Sequence, residues 1–457
     1  MDERYNILMI MADQFRMTTL ESMGDGISTP NIKRIMEKGM VFEKAACTCP
    51  LCTPSRASLA TGKLPNRCGV PVHDGILPLE QETYYQKLRD AGYRVGVVGK
   101  TDLHKADKYI GSKGNLPSMY QYGFTDPFEL EGKMNAARYS VNSDGTKNLN
   151  GPYQKHLESK GLMETLNTDY KTYMRELPRY YAAPSVLPDE DFEDAFIGRA
   201  ACEWLQEVED DVPWHYFVSF VGPHNPWDPP KEDYDFYEDH KFWESIKDDF
   251  YGKPEWVKKR AQRETGGMTR EDEERMKRCY AGSVRVIDRY IGKILDVLEE
   301  RGLKERTIII FCADHGEMLG DHGLLEKKVM YESSLRIPMV IQAPWMKERK
   351  NMDSLVMLMD LAPTCMEIAG VPCDSRKMDA RSLMPILRGE TQKSEHLVQI
   401  SELINCQMIS DGKYKWIRNW NDKDELYDLD NDRAEIHNII DELPEVIEKL
   451  QTYTFRQ

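Results

Sequence analysis

Leu51-Cys-Thr-Pro-Ser-Arg-Ala-Ser-Leu-Ala-Thr-Gly62 reads as the opening of a short helix. Proline is favoured in a first helical turn, where its missing N–H leaves no hydrogen bond unmade, and a glycine after the last turn is a common stop. Cys52 then sits at a helix N-terminus. It faces free backbone N–H groups and the positive end of the helix dipole, with the guanidinium of Arg56 beside it. Such a place suits a nucleophile that meets an anion. A buried structural thiol is the commoner use of a cysteine. The rest of the chain decides between the two by supplying, or not, a metal, an anion clamp and an acid.

Outward from that stretch, Ile7-Leu-Met-Ile-Met11 is a continuous apolar run of strand length, as expected for a central parallel strand buried on both faces. It ends in Asp13-Gln14, and ligands of open α/β sheets gather at the carboxyl ends of strands. Thr307–Cys312 repeats the pattern and ends in Asp314-His315. Side by side, the two ends make a compact cage of oxygen and nitrogen donors that suits Ca²⁺, Mg²⁺ or Mn²⁺ better than a thiolate-loving metal, with the histidine leaning towards Mn²⁺. Further strands are expected at Val41–Ala45, Tyr93–Val98, His215–Phe220 and Arg336–Gln342. Lys100 and His104 follow the second of these. His224 follows the third, in a loop stiffened by Pro223, Pro226, Pro229 and Pro230.

Helices are expected from a Thr29 cap through Lys38 to a Gly39 stop, over Glu82–Ala91, Phe192–Val208 and Leu361–Ala369, and over Glu271–Arg301 as one helix or two. Residues 105–195 and 226–265 show little periodicity and read as insertions that shape a pocket. From His396 the pattern changes to short strands around Asp411-Gly412, with a last helix over Leu443–Tyr453. The fold class is therefore α/β. A large, mixed but mostly parallel sheet flanked by helices spans about residues 1–375, and a small α+β appendage spans 376–457.

The chain has 457 residues and a net charge of −16, which argues against nucleic acid or an anionic membrane as partner. Positive charge for an anionic substrate must then be concentrated locally. The N-terminus is acidic and its apolar run is too short for a signal peptide, and no stretch is long enough to span a membrane. Ten scattered cysteines without a zinc-type pattern suit a reducing, cytoplasmic home.

Cys52-Thr-Pro-Ser-Arg56 with Leu59, Thr61 and Gly62 resembles the signature of the type I, formylglycine-dependent sulfatases. The ordered set Asp13-Gln14, Gly99-Lys100, Gly222-Pro-His224, Asp314-His315-Gly316, Lys327, Tyr331-Glu332 and Glu425-Leu-Tyr-Asp-Leu429 extends that resemblance along the whole chain, to the sulfatase branch of the alkaline-phosphatase-like superfamily. The resemblance implies that a maturation enzyme oxidises Cys52 to formylglycine, whose hydrate attacks sulfur in line. It implies a divalent cation, Ca²⁺ first, held by Asp13, Gln14, Asp314 and His315 together with the group at position 52. Arg56 orients the nucleophile, Lys100 and Lys327 hold the sulfate, and His224, helped by Lys327, serves the leaving oxygen.

Three departures stand out. The Asp-Gln/Asp-His donor set resembles choline sulfatases and phosphonate monoester hydrolases. Asp102 occupies the place of the family's histidine two residues after Lys100, which leaves His104 as the candidate base for sulfate release. Ala380 replaces a common glycine. The implied substrate is a small sulfated sugar, aryl or choline-like ester. A phosphonate monoester or phosphodiester hydrolase, and a metal-binding scaffold with unmatured cysteine, stay open as alternatives, as does the oligomeric state.

Overall fold

The computed structural model describes residues 4–453 apart from 22, 106–109, 112, 142–144 and 375. Residues 1–3 of the acidic N-terminus and parts of the 105–195 segment therefore lie outside the described residues. Eight strands form the main sheet: β1 (Asn6–Asp13), β2 (Met40–Ala46), β3 (Arg94–Gly99), β4 (Asp126–Glu129), β5 (Trp214–Pro223), β6 (Thr307–Ala313), β7 (Met339–Gln342) and β8 (Lys350–Met357). Their order is β4-β3-β5-β1-β6-β7-β2-β8, and β7 alone runs against its neighbours. β1 is buried at every residue, as its unbroken apolar run requires in a strand covered on both faces. Its register with β6 pairs Ala12 with Ala313. Asp13 and Asp314 therefore leave the sheet next to each other.

The 105–195 segment is more regular than its sequence suggests. It contributes β4, parallel to β3 at the sheet edge, and helices that include Pro152–Ser159 and Met163–Glu176. The latter buries Met163, Leu166, Asn167 and Tyr170, an i, i+3, i+4, i+7 face in which a buried asparagine hides the apolar period. The 226–265 segment likewise contains Lys231–Asp235 and Glu255–Thr265, and the second helix buries Arg260 and Glu264. β8 went unanticipated because its first half is a polar edge: Lys350, Asn351 and Asp353 are exposed.

The helix expected through Lys38 ends at Met36. Thr29 accepts from Glu21 N rather than capping it. The free N–H groups of Asn31 and Ile32 go to Asp288, at 3.1 and 2.8 Å. Gly39 is not left-handed. It is required because a Cβ there would meet Ile35 O at 2.6 Å. Arg270–Glu300 is one continuous helix, opened by a Thr269–Asp272 capping box.

β9 (Gln399–Leu403), β10 (Cys406–Ser410), β11 (Tyr414–Asn419) and β12 (Glu425–Asp428) form an antiparallel sheet in the order β12-β11-β10-β9, followed by the helix Pro444–Gln451. Buried ionic contacts fasten this sheet to the larger one. Lys415 Nζ lies 2.8 Å from Glu332 and 2.7 Å from Glu435, and Tyr331 Oη donates to Glu425 at 2.8 Å.

On β5, His215 is wholly buried, with Nε2 3.1 Å from Tyr84 Oη, and burial pushes its pKa down to about 3. The folded chain thus binds a proton here less readily than the unfolded chain. The stability this residue contributes is complete above pH ~6.5 and is lost as pH falls towards 3, at about 1.4 kcal/mol per pH unit. Urea unfolding at pH 7 and pH 5 should therefore show a smaller loss in His215→Phe than in the parent. Equal losses would contradict it.

Candidate active site

Cys52 is the first residue of the Cys52–Thr61 helix, preceded by an extended Leu51, and Gly62 closes the helix at φ +66°. Every residue of this helix is buried although half are polar, so its side chains must find partners inside. Ser55 Oγ donates to Asp314 O at 2.6 Å. Arg56 is spread across four strand ends. Its Nε reaches Asp314 Oδ2 at 2.8 Å, Nη2 reaches Asp13 Oδ2 at 3.3 Å, and Nη1 serves Ser219 Oγ at 2.8 Å and the Lys100 carbonyl. A planar guanidinium with five donors suits this task. The Thr53 hydroxyl is buried without a partner among the described residues.

Above the helix N-terminus, Asp13, Cys52, Asp314 and His315 each bring one donor atom into a group whose members lie within 4.8 Å of one another, all buried. Cys52 Sγ is 3.2 Å from His315 Nε2 and 3.7 Å from Asp13 Oδ1. His315 Nε2 is 3.7 Å from Asp314 Oδ1. Its Nδ1 is 3.0 Å from Gly316 O, so Nδ1 carries a proton and Nε2 is the nitrogen that faces the group. Gln14 stands in the left-handed region at φ +66°, where its N–H donates to Asp314 Oδ1 at 3.0 Å. Its Nε2 is held by Glu317 and its Oε1 by Lys327. Two carboxylates, a carboxamide oxygen and an imidazole form a donor set that fits a hard divalent cation.

Charge explains the protonation states. Burial pushes the Asp13 carboxyl up, but Lys100 and, after it, Arg56 and Lys327 hold it well below the usual range. Burial and Asp13 push the Cys52 thiol up, and Lys100, Lys327 and His315 bring it well below. Burial and then Lys327 press His224 well below its ordinary value, so that it is neutral. Lys100 donates to Asp13 and lies 3.2 Å from Asp102; despite its burial, these two carboxylates raise it. In a chain of net charge −16, Lys100, Lys327 and Arg56 concentrate positive charge at one point, which suits a small tetrahedral anion.

The structure brings Asp13, Gln14, Cys52, Arg56, Lys100, His224, Asp314, His315 and Lys327 together. Lys327 Nζ hydrogen-bonds His224 Nε2, while His224 Nδ1 rests on Asn225 O at 2.5 Å. His104 Nε2 pairs with Glu129, which also takes the Thr101 hydroxyl. Arg56 lies on the two aspartates. Sequence reasoning assigned nothing to Glu317, which orients Gln14, although it sits three residues beyond Asp314 in the same motif. It also missed Arg260, which grips the carbonyls of Leu325 and Lys328 at 2.8 and 3.0 Å and so holds the Lys327 loop. His73 was missed too. Its Nδ1 is buried without a partner among the described residues, and burial together with Lys105 lowers its pKa to about 3.

Fold and site together define an alkaline-phosphatase-like α/β architecture with a buried cysteine at a helix N-terminus among carboxylates, imidazole and lysines at the strand ends. The family model described as Sulfatase matches residues 5–371, and the chain belongs to that family. A second, described as N-sulphoglucosamine sulphohydrolase, C-terminal, matches residues 320–454. A choline-sulfatase of Rhizobium meliloti (strain 1021) is 26% identical over 95% of this chain and 82% of that protein. An arylsulfatase of Clostridium perfringens (strain 13 / Type A) is 27% identical over 95% and 90%. Among solved structures, a phosphonate monoester hydrolase of Agrobacterium radiobacter has a TM-score of 0.81 at 22% identity, covering 99% of this chain and 94% of that one. A protein solved with its substrate D-glucosamine-2-N,6-O-disulfate has a TM-score of 0.76 at 21% identity, covering 98% and 96%.

Proposed function

We propose that the chain hydrolyses a sulfate ester with Cys52, matured by a formylglycine-generating enzyme, as its nucleophilic position. A divalent cation, Ca²⁺ first and Mn²⁺ or Mg²⁺ after it, fits the donors of Asp13, Gln14, Asp314, His315 and position 52, and when bound supplies Lewis-acid polarisation of the sulfuryl oxygens. Lys100 and Lys327 bind those oxygens. Arg56 fixes the two aspartates and, through them, the position of the attacking atom. His224 and Lys327 share one proton between Nε2 and Nζ. That proton is placed for the leaving oxygen, and neutral His224 takes part as base and relay. Positioning and positive charge do most of the work at a sulfuryl centre.

The observation that carries this reading is Cys52 Sγ at a helix N-terminus, 3.2 Å from His315 and 3.7 Å from Asp13, with Lys100 and Lys327 around it. The substrate is a small sugar, aryl or choline-like ester, walled by 105–195 and 226–265. Residues 1–375 form the catalytic unit and 376–457 its support. We place the chain in the cytoplasm, with no nucleic-acid or membrane partner. Its ten cysteines are all free, and no described helix is long and apolar enough to cross a membrane.

Gln14 and His315 favour a second reading, a phosphonate monoester or phosphodiester hydrolase on the same fold. Paired kcat/KM values on 4-nitrophenyl sulfate and its phenylphosphonate analogue separate the two. The sulfate is expected to be the better substrate, and an excess of about a thousandfold on the phosphonate would overturn the choice. Mass spectrometry of the Cys52 peptide should show a loss of about 18 Da. Unmodified cysteine, in a host that matures other sulfatases, would leave a non-enzymatic scaffold.

A further inference from the structure

His73 stands at the corner of a turn that Gly75 N–H closes on Val72 O at 3.3 Å. Val70 and Leu77, both fully buried, pin the ends of the segment that holds this turn. The segment is tied to the loop that follows β3. Leu77 N–H donates to Leu103 O at 2.7 Å, and Tyr122 Oη lies 2.8 and 3.4 Å from the carbonyl oxygens of Leu77 and Leu103. That loop carries Lys100 and Asp102, so hydrogen bonds hold the His73 turn against the same segment as the anion-binding lysine.

Neither ring nitrogen of His73 has a partner among the described residues. Nδ1 is closed off from solvent, whereas Nε2 is not among the enclosed atoms and the ring as a whole is partly exposed. A buried N–H without an acceptor is rarer in folded proteins than a buried lone pair without a donor. Nδ1 therefore keeps the lone pair, and the open nitrogen, Nε2, carries the hydrogen. The charges acting on the ring are those of Lys105, Cys52, Asp102 and Lys327, which set it among the groups around position 52. Burial and then Lys105 outweigh Cys52 and Asp102 and bring its pKa to about 3. The ring is thus neutral at physiological pH and a poor base. What remains is a neutral donor with nothing in the protein to donate to.

We propose that His73 Nε2 donates a hydrogen bond to a sulfuryl oxygen of the bound ester, a neutral contact beside the charged ones of Lys100 and Lys327. This rests on the sulfatase reading and adds a substrate-contacting residue to it. A sulfate ester carries one negative charge, which two lysines and a divalent cation already exceed. A neutral donor orients the tetrahedral group without adding repulsion against that cation, as an imidazolium would.

Inorganic sulfate is the probe, titrated calorimetrically into the matured, Ca²⁺-loaded enzyme at pH 7. His73→Phe keeps the bulk of the ring and removes both nitrogens, while His73→Gln restores an amide N–H near the place of Nε2. Sulfate affinity should fall about 10- to 100-fold in the first and stay within about threefold of the parent's in the second, the range for hydrogen bonds to charged groups. The kcat/KM on 4-nitrophenyl sulfate should follow the same order, with its pH profile unchanged in shape. An affinity in His73→Phe within about threefold of the parent's overturns the proposal. Equal losses in both variants overturn it too, because a ring that only positions the Lys100 loop is not rescued by an amide. Loss of a limb of the pH profile in His73→Phe would make the residue an acid or base instead. His73→Ala gives the same comparison if phenylalanine disturbs the turn. A parent that binds sulfate yet turns over no sulfate ester sinks the sulfatase reading and leaves the contact to a tetrahedral anion standing. A parent that binds no sulfate overturns the contact itself.

Discussion

Replacing Cys52 by alanine should reduce kcat/KM on 4-nitrophenyl sulfate by at least about 10⁴-fold, as removal of a nucleophile does in hydrolases, while the chain still folds cooperatively. The reason lies in what surrounds the thiol. His315 and Asp13 are its neighbours at 3.2 and 3.7 Å, and both belong to the buried donor group that could hold a cation. Lys100 and Lys327 are charged donors with no lone pair to offer. None of these neighbours can replace the lost atom. The fold, by contrast, uses Cys52 little, since the helix is fastened by Ser55 and Arg56. Unfolding in urea should shift by no more than about 1 kcal/mol, the ordinary size of a small truncation. A variant that no longer unfolds cooperatively would show Cys52 to be a packing residue, and one that retains activity would remove it from the chemistry.

The parts of the site that were legible in the sequence share a cause. Ile7–Met11 and Thr307–Cys312 are unbroken apolar runs, and a polar residue immediately after such a run has little choice but to stand at the sheet's carboxyl edge. What was not legible depends on pairings between distant, charged, buried residues. Asp288 caps a helix more than 250 positions away in sequence, and Arg260 holds the Lys327 loop from inside a helix whose buried face carries two charges. Periodicity arguments assume that the buried face is apolar, so they pass over both. His104 illustrates a different gap. Its spacing from Lys100 was readable, but the position of Glu129, its partner, required β4 to be placed beside β3.

Arg56→Ala should have the larger effect on stability, and its size should depend on metal. The guanidinium is the group that lies between Asp13 and Asp314, both with fully buried side chains. Burial opposes its charge, yet Asp314 and Asp13 raise its pKa above the ordinary value. Removing one partner of such a buried network leaves the others uncompensated, which costs about 3–5 kcal/mol. Ser219 and the Lys100 carbonyl lose a donor at the same time. Lys100 remains on Asp13, and a bound divalent cation is a further counter-charge that both aspartates could share. Without Arg56 that cation meets less repulsion, so it should bind more tightly and restore more stability than in the parent, in proportion to the logarithm of its concentration over Kd. Urea unfolding in EDTA and in millimolar Ca²⁺ tests both halves. The variant should be the weaker of the two proteins in EDTA and should gain more from Ca²⁺. Arg56→Lys should behave nearly as badly, because one ammonium cannot reach four strand ends. Equal or smaller gains from Ca²⁺ in Arg56→Ala would mean that the guanidinium and the cation do not serve the same carboxylates, and would remove Asp13 and Asp314 as shared ligands.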